Sequence, residues 1–156
     1  MLDFIIESRL WLARPRPAVF ALVADPASLP RLVPPSLRVT FARTPMPMAA
    51  GAVYDLRVWW RGLPLRWRCF IREYDPPHRF VDVQVRGPWA RWEHRHRFLE
   101  GDGGTWLDER LTYRPPLGPA GRLLHALVLR RELGALWAHR RRCLEAWAGP
   151  VSATAG

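Results

Sequence analysis

One stretch limits what this chain can become: the helical periodicity from Pro119 to Trp147, which follows segments that read as strands and turns. Pro119 occupies a first-turn position that tolerates proline, while Pro115, Pro116 and Gly118 interrupt the strand before it. Apolar residues recur at helical spacing: Leu123, Leu127, Val128 and Leu129, then Leu133, Leu136 and Trp137, then Cys143, Leu144 and Trp147. Arg130, Arg131, Arg141 and Arg142 fall largely between them, arginines in the last turns suit the negative end of the helix, and Gly149-Pro150 is a stop signal. Such a helix is roughly 40 Å long, enough to cross a small domain. Gly134 weakens it by about 1 kcal/mol relative to alanine. That glycine is expected to mark close packing against a strand rather than a kink. A lone helix after a run of strands must be what the sheet wraps around, so the class is α+β.

The preceding segments supply that sheet. Phe4 to Ala13 alternates as a strand, with Phe4, Ile6, Ser8, Leu10 and Leu12 on one side. Ala18 to Ala24 reads as a short helix that buries Val19, Phe20 and Val23, and Leu29 to Leu32 as a second one capped by Ser28. Leu37 to Arg43 is the next strand. Val53 to Arg61 and Pro64 to Tyr74 flank Gly62-Leu63, read as a two-residue hairpin turn with glycine first. That register sets Tyr54 opposite Ile71 and Trp60 opposite Leu65. Its inner face carries Tyr54, Leu56, Val58, Trp60, Leu65, Trp67, Cys69 and Ile71. A second hairpin, Trp89 to Glu100 and Thr105 to Arg114, turns at Gly101 to Gly104. Its inner face carries Trp92, His94, His96 and Phe98 against Tyr113, Leu111, Glu109 and Leu107, with His96 directly across from Glu109.

The strand between the hairpins, Phe80 to Arg86, has two readings. Apolar pattern puts Val81, Val83 and Val85 inside. A four-residue turn at Asp75 to His78, with Glu73 inward, instead puts Phe80, Asp82 and Gln84 inside, provided Gly87-Pro88 hosts a bulge. The second is favoured. The whole order predicts a curved antiparallel sheet of about seven strands around a long C-terminal helix, with two short helices after the first strand.

A chain of 156 residues is one domain by default. The expected division is a single domain over 1–149 and a flexible tail over 150–156. No apolar window is long enough to span a membrane, no signal-peptide pattern opens the chain, and Cys69 and Cys143 make no disulfide framework. A cytoplasmic location is therefore expected. The net charge of +10 invites a nucleic-acid reading, but all 24 basic residues are arginine and they are spread over every strand and the helix. Nucleic acid is not expected as a partner.

Several short stretches carry a family resemblance. They are Ala18-Val19-Phe20, Asp25-Pro26, Leu29-Pro30-Arg31-Leu32, Pro34-Pro35, Arg61-Gly62-Leu63-Pro64 and Trp67. Further along come Pro76-Pro77-x-Arg79-Phe80, Gly87-Pro88, Trp92-x-His94-x-His96-x-Phe98, Gly103-Gly104-Thr105 and Pro116-x-Gly118. With the element order, they make nearly the whole chain resemble the SRPBCC superfamily, the START-like or polyketide-cyclase-like proteins with the helix-grip fold. It is similar to bacterial ligand-binding or cyclase-like members, some of them fused to sugar-nucleotide-epimerase-like proteins. No Gly-rich nucleotide loop follows a strand here, so the epimerase part has no counterpart. The resemblance implies a helix-grip fold. The superfamily is functionally broad, so it implies no single activity.

A sheet curled around a helix leaves a cavity, expected to hold a small hydrophobic or aromatic ligand. The expected ligand-binding residues are Tyr54, Leu56, Val58, Trp67, Cys69, Trp92, Phe98, Leu111, Tyr113, Leu133 and Trp137, with His94, His96, Glu109, Asp82 and Gln84 as the polar groups. Three readings of the histidine pair stay open. The histidines hydrogen-bond Glu109, Asp82 or Gln84 and satisfy one another; or they offer a hydrogen bond to a ligand; or His96 acts as a general base oriented by Glu109, in a cyclase or lyase, with His94 beside it. Whether any reaction is catalysed is left open. No cofactor and no metal are assigned, because His-x-His with a carboxylate opposite lacks an identified third ligand for zinc. Trp59, Phe70 and Trp106 on the outer face form the alternative, a patch for a homodimer, another protein or an anionic membrane surface.

Overall fold

The computed structural model describes residues 3–150. The tail beyond Pro150 lies outside them. Seven strands form one antiparallel sheet, ordered β1-β7-β6-β5-β4-β3-β2. They are β1 (Phe4–Leu12), β2 (Leu37–Phe41), β3 (Val53–Trp60), β4 (Leu63–Asp75), β5 (Arg79–Arg86), β6 (Arg91–Gly101) and β7 (Gly104–Arg114). Helix α1 (Arg16–Val23) and a 3-10 turn (Pro26–Arg31) link β1 to β2, the two edges of the sheet. The C-terminal helix closes the concave side as α2 (Gly118–Leu124), a π-helical turn (His125–Leu129) and α3 (Arg130–Ala148). The class and element order are those expected. The 3-10 turn is capped by the Asp25 carboxylate, which accepts from Ala27 N at 2.9 Å, and not by Ser28, which is buried.

The β6–β7 hairpin has the expected register, with His96 across from Glu109. The β3–β4 hairpin does not: Tyr54 pairs with Cys69 and Trp60 with Leu63. The turn residues are Arg61 and Gly62, with φ of 50° and 84°. A tight hairpin turn with both central residues left-handed matches the twist of its strands, and Arg61 accepts the strain that glycine was expected to take alone. Strand faces alternate every residue, so this even shift of register changes the partners and leaves the inner face intact.

The β4–β5 turn also differs from expectation. Register breaks occur at Arg68/Cys69 and between Ile71 and Glu73, which leave Val85 of β5 and Arg72 of β4 as the extra residues, and neither bulge is at Gly87-Pro88. The second break turns Glu73 outward to Arg72 and Arg79 and brings Tyr74 inward against Phe20. Asp82 then falls opposite Ile71, on the inner side, as the turn argument required.

The helix departs most from its reading. A π turn interrupts the 3.6-residue repeat and rotates the helical faces on its two sides relative to one another. Leu123 and Leu127 therefore point outward, 63% and 65% exposed, while His125 is buried. Gly134 lies inside the regular α3 with open space where a Cβ would stand, so it makes no close strand contact. Arg14, from the other end of the domain, donates to the Ala148 carbonyl at 3.0 Å and covers Trp147, serving the last carbonyls of α3.

Two apolar clusters anchor the layers. Leu10, Leu12, Phe20, Phe98, Leu107 and Leu144 join α1, the sheet and the end of α3; Leu111, Tyr113 and Leu133 join β7 to the start of α3. Trp59 and Phe70 sit on neighbouring strands, but Trp106 is on β7, separated from β4 by β5 and β6. The three do not make one patch, and Trp59 and Trp106 lie under the guanidinium groups of Arg38 and Arg9.

Candidate functional site

A cavity of about 370 Å³ lies between the concave sheet face and the C-terminal helix. The β3–β4 hairpin gives one wall with Tyr54, Leu56, Val58, Trp67 and Cys69; β6 gives Trp92, His94 and His96; β5 gives Asp82; α3 gives Leu133 and Trp137. Trp67 and Trp92 meet edge to face, their ring centroids 4.9 Å apart. Five of the expected residues stand behind the wall. Phe98 is core beneath Phe20, Leu111 and Tyr113 pack under the start of α3, and Glu109 lies beneath the histidines. Gln84 spends its amide on Trp89, donating to its carbonyl at 2.7 Å and accepting from its N–H at 3.3 Å, which closes the Gly87-Pro88 turn.

Strand geometry brings the polar groups together. Asp82 pairs across β5–β6 with His94, and His94 and His96 share a face two residues apart. His96 Nε2 lies 3.1 Å from Asp82 Oδ1, and its Nδ1 lies 3.0 Å from Glu109 Oε1. Arg140 of α3 then grips Glu109: its Nε donates at 3.0 and 3.1 Å to the two oxygens and its Nη2 at 2.7 Å to Oε1. Both members of this pair are buried. A buried carboxylate needs charged partners, and here it has them.

The charges follow from these contacts. Burial opposes ionisation of Glu109, but Arg140 and then His96 outweigh it and hold the carboxyl well below its usual range. Burial likewise opposes the charge on His96, but the contact with Asp82 and the Glu109 carboxylate 3.0 Å away outweigh it and raise its pKa. Asp82 is lowered: burial works against its charge, and the bond from His96 overcomes it. His94 goes the other way, pushed down to about 3 by burial and by the neighbouring His96. Burial, with Asp82 nearby, pushes the Cys69 thiol up, so it sits there as a neutral group. The array thus sets His96 between two carboxylates that favour its protonated form, with His94, whose charge burial opposes, tilted against it at 45° and 3.8 Å between ring centroids.

Two residues were missed. Arg140 lies on the inward stripe Leu133, Trp137, Arg140, Leu144, and the inward-facing Glu109 across the fold was the signal that a cation had to meet it. His125 bonds the Tyr113 hydroxyl at 2.7 Å and stacks on Phe4. Only the π turn places it there, and no sequence signal marked that turn. Around this cluster, His94 Nε2, His96 Nδ1 and Trp137 Nε1 are buried without a hydrogen bond of good geometry.

Residues 12–137 match the family model described as polyketide cyclase / dehydrase and lipid transport. A search of curated proteins finds no match. Among solved structures the chain is similar to a Chromobacterium violaceum protein, with TM-score 0.72 and 16% identity over 94% of this chain and 97% of that one. A Thermus thermophilus protein gives TM-score 0.71 and 19% identity over 94% and 100%. A START superfamily protein from Mycobacterium smegmatis gives TM-score 0.67 and 14% identity over 92% and 98%. At such identities these structures speak for the fold.

Proposed function

Since the chain belongs to the polyketide cyclase / dehydrase and lipid transport family, we propose that it binds one apolar or aromatic small molecule in the cavity between sheet and helix. The observation that carries this reading is the cavity itself: about 370 Å³, walled by tryptophan, tyrosine and aliphatic side chains, with Asp82, His94, His96 and Arg140 clustered on one part of its wall. Pockets of this size and lining take ligands by burying apolar surface, and a few polar groups fix orientation. Trp137 Nε1 is a donor without an acceptor, and burying such a group unpaired costs about 1–3 kcal/mol. A ligand carbonyl or hydroxyl oxygen beside it satisfies it. The aromatic or aliphatic body then rests on Trp67 and Trp92.

The uncharged probe N-phenyl-1-naphthylamine tests this reading. Binding should be saturable at one probe per chain, with blue-shifted emission and quenching of tryptophan fluorescence. Leu136→Trp, which fills the cavity from α3, should abolish it while the circular dichroism spectrum is kept. A probe that never saturates, or that binds the filled variant equally well, refutes the proposal.

The catalytic alternative, a cyclase- or lyase-type reaction at His96, meets an obstacle. Asp82 and Glu109 flank His96 and favour its protonated form, which works against the role of general base.

A further inference from the structure

We propose that Asp82, His94 and His96 form a binding site for one divalent transition metal of the zinc type, with an open coordination position facing the cavity. Each of the three offers one donor atom, and these atoms all lie within 4.8 Å of one another. Asp82 Oδ1 is 3.1 Å from His96 Nε2 and 3.9 Å from His94 Nδ1. Donors around a tetrahedral zinc at ordinary bond lengths stand roughly 3.3 Å apart, so the observed spacings bracket the requirement. The three come from two neighbouring, directly paired strands, a rigid base for a metal site.

The groups behind the donors strengthen the assignment. Histidines that hold a metal through one ring nitrogen nearly always turn the other toward a carboxylate or carbonyl, which fixes the tautomer. Glu109 Oε1 does this for both rings at once, 3.0 Å from His96 Nδ1 and 3.6 Å from His94 Nε2. Arg140 in turn locks Glu109 with three hydrogen bonds. His94 also presents a puzzle that a metal resolves. Both its nitrogens face carboxylates, a neutral imidazole has one proton, and Nε2 is buried without a hydrogen-bond partner. A metal on Nδ1 places the proton on Nε2, facing Glu109. Asp82, His94, His96 and Arg140 all line the cavity, so the remaining position points at its contents. An oxygen donor on the bound molecule, a carbonyl or a hydroxyl, is the ligand class that position takes. The metal site itself does not depend on an organic ligand being bound.

The test is a titration of the untagged, chelator-stripped chain with Co2+, whose visible absorption reports coordination number. One equivalent should produce the intense band of a four- or five-coordinate site, and Zn2+ should bleach it. His94→Phe, which removes a donor and keeps an apolar ring in a buried place, should abolish the band. Glu109→Gln should keep the stoichiometry and weaken binding roughly 10–100-fold. The helical pair His139 and Cys143, 3.3 Å apart, is the competing site, and Cys143→Ser should leave the titration unchanged. The wild-type spectrum decides alone if His94→Phe fails to fold. A spectrum identical to hexaaqua cobalt, a band that survives His94→Phe, or one lost with Cys143→Ser would each overturn the assignment. Naphthylamine binding is read separately, so a failed cobalt titration leaves the cavity reading standing.

Discussion

Replacing Arg140 with methionine should cost this protein about 3–5 kcal/mol, although Arg140 lies on a helix rich in solvated arginines. The magnitude comes from its surroundings. Arg140 and Glu109 are 8% and 5% exposed and share three hydrogen bonds between 2.7 and 3.1 Å. Methionine keeps the length and apolar stem of the side chain, so packing changes little; what changes is that Glu109 is left with His96 as its remaining charged partner. Removing one member of a buried pair strands the other, and the stranded charge dominates the loss. For a domain of this size the shift in Tm is about 10 °C. Urea unfolding at neutral pH measures the free energy, and the double variant Arg140→Met/Glu109→Gln separates the causes. Removing the stranded charge should recover more than half of the loss. A single variant that loses less than about 1 kcal/mol would refute the reasoning, as would a double variant no more stable than the single one.

Two further outcomes follow from the same geometry. Phe98 is 1% exposed beneath Phe20, and Phe98→Ala should destabilise by about 3–5 kcal/mol in urea unfolding without moving the probe's affinity more than twofold, because Phe98 is core and not cavity wall. Glu93 sits on the outer face among Arg72, Arg91 and Arg95, and its bond to Arg72 first, then Arg95, holds its pKa down to about 2 from 4.5. A lowered carboxyl pKa adds stability above the unfolded value that disappears as pH falls from about 4.5 toward about 2. Glu93→Gln should therefore cost of order 1 kcal/mol at neutral pH, modest because Arg72 and Arg95 remain partly in water, and the gap should close by pH 2; a gap that stays constant across a thermal melt series counts against the pairing.

How much of this was legible depends on which physical signal each feature leaves. The inner faces of both hairpins could be read because a half-buried strand alternates every residue, and Trp92, His94, His96 and Phe98 against Glu109 and Leu111 leave little choice. The partners within β3–β4 could not, because an even slip preserves the faces and nothing marks Arg61 as a residue that accepts positive φ. Asp82 was placed inside by a turn argument that put a bulge at Gly87-Pro88, whereas the extra residues proved to be Arg72 and Val85. Bulges leave no composition of their own, so the side was readable and the place was not. The π turn at His125–Leu129 is of the same kind: it moves Leu123 and Leu127 out to solvent and His125 in, without a proline or glycine at the turn. Arg140 was hidden because arginine on a helix ordinarily belongs to water. It belongs inside here because Glu109 on β7 faces it across the fold.

The central claim is an open, apolar-walled space between the sheet and α3 that receives a molecule with its polar end at His94 and Trp137. A crystal structure of the protein grown with N-phenyl-1-naphthylamine tests it most directly. The account predicts electron density for one probe in contact with Trp67, Trp92 and Trp137. A space closed by those side chains, or density only on the outer face of the sheet, would contradict it.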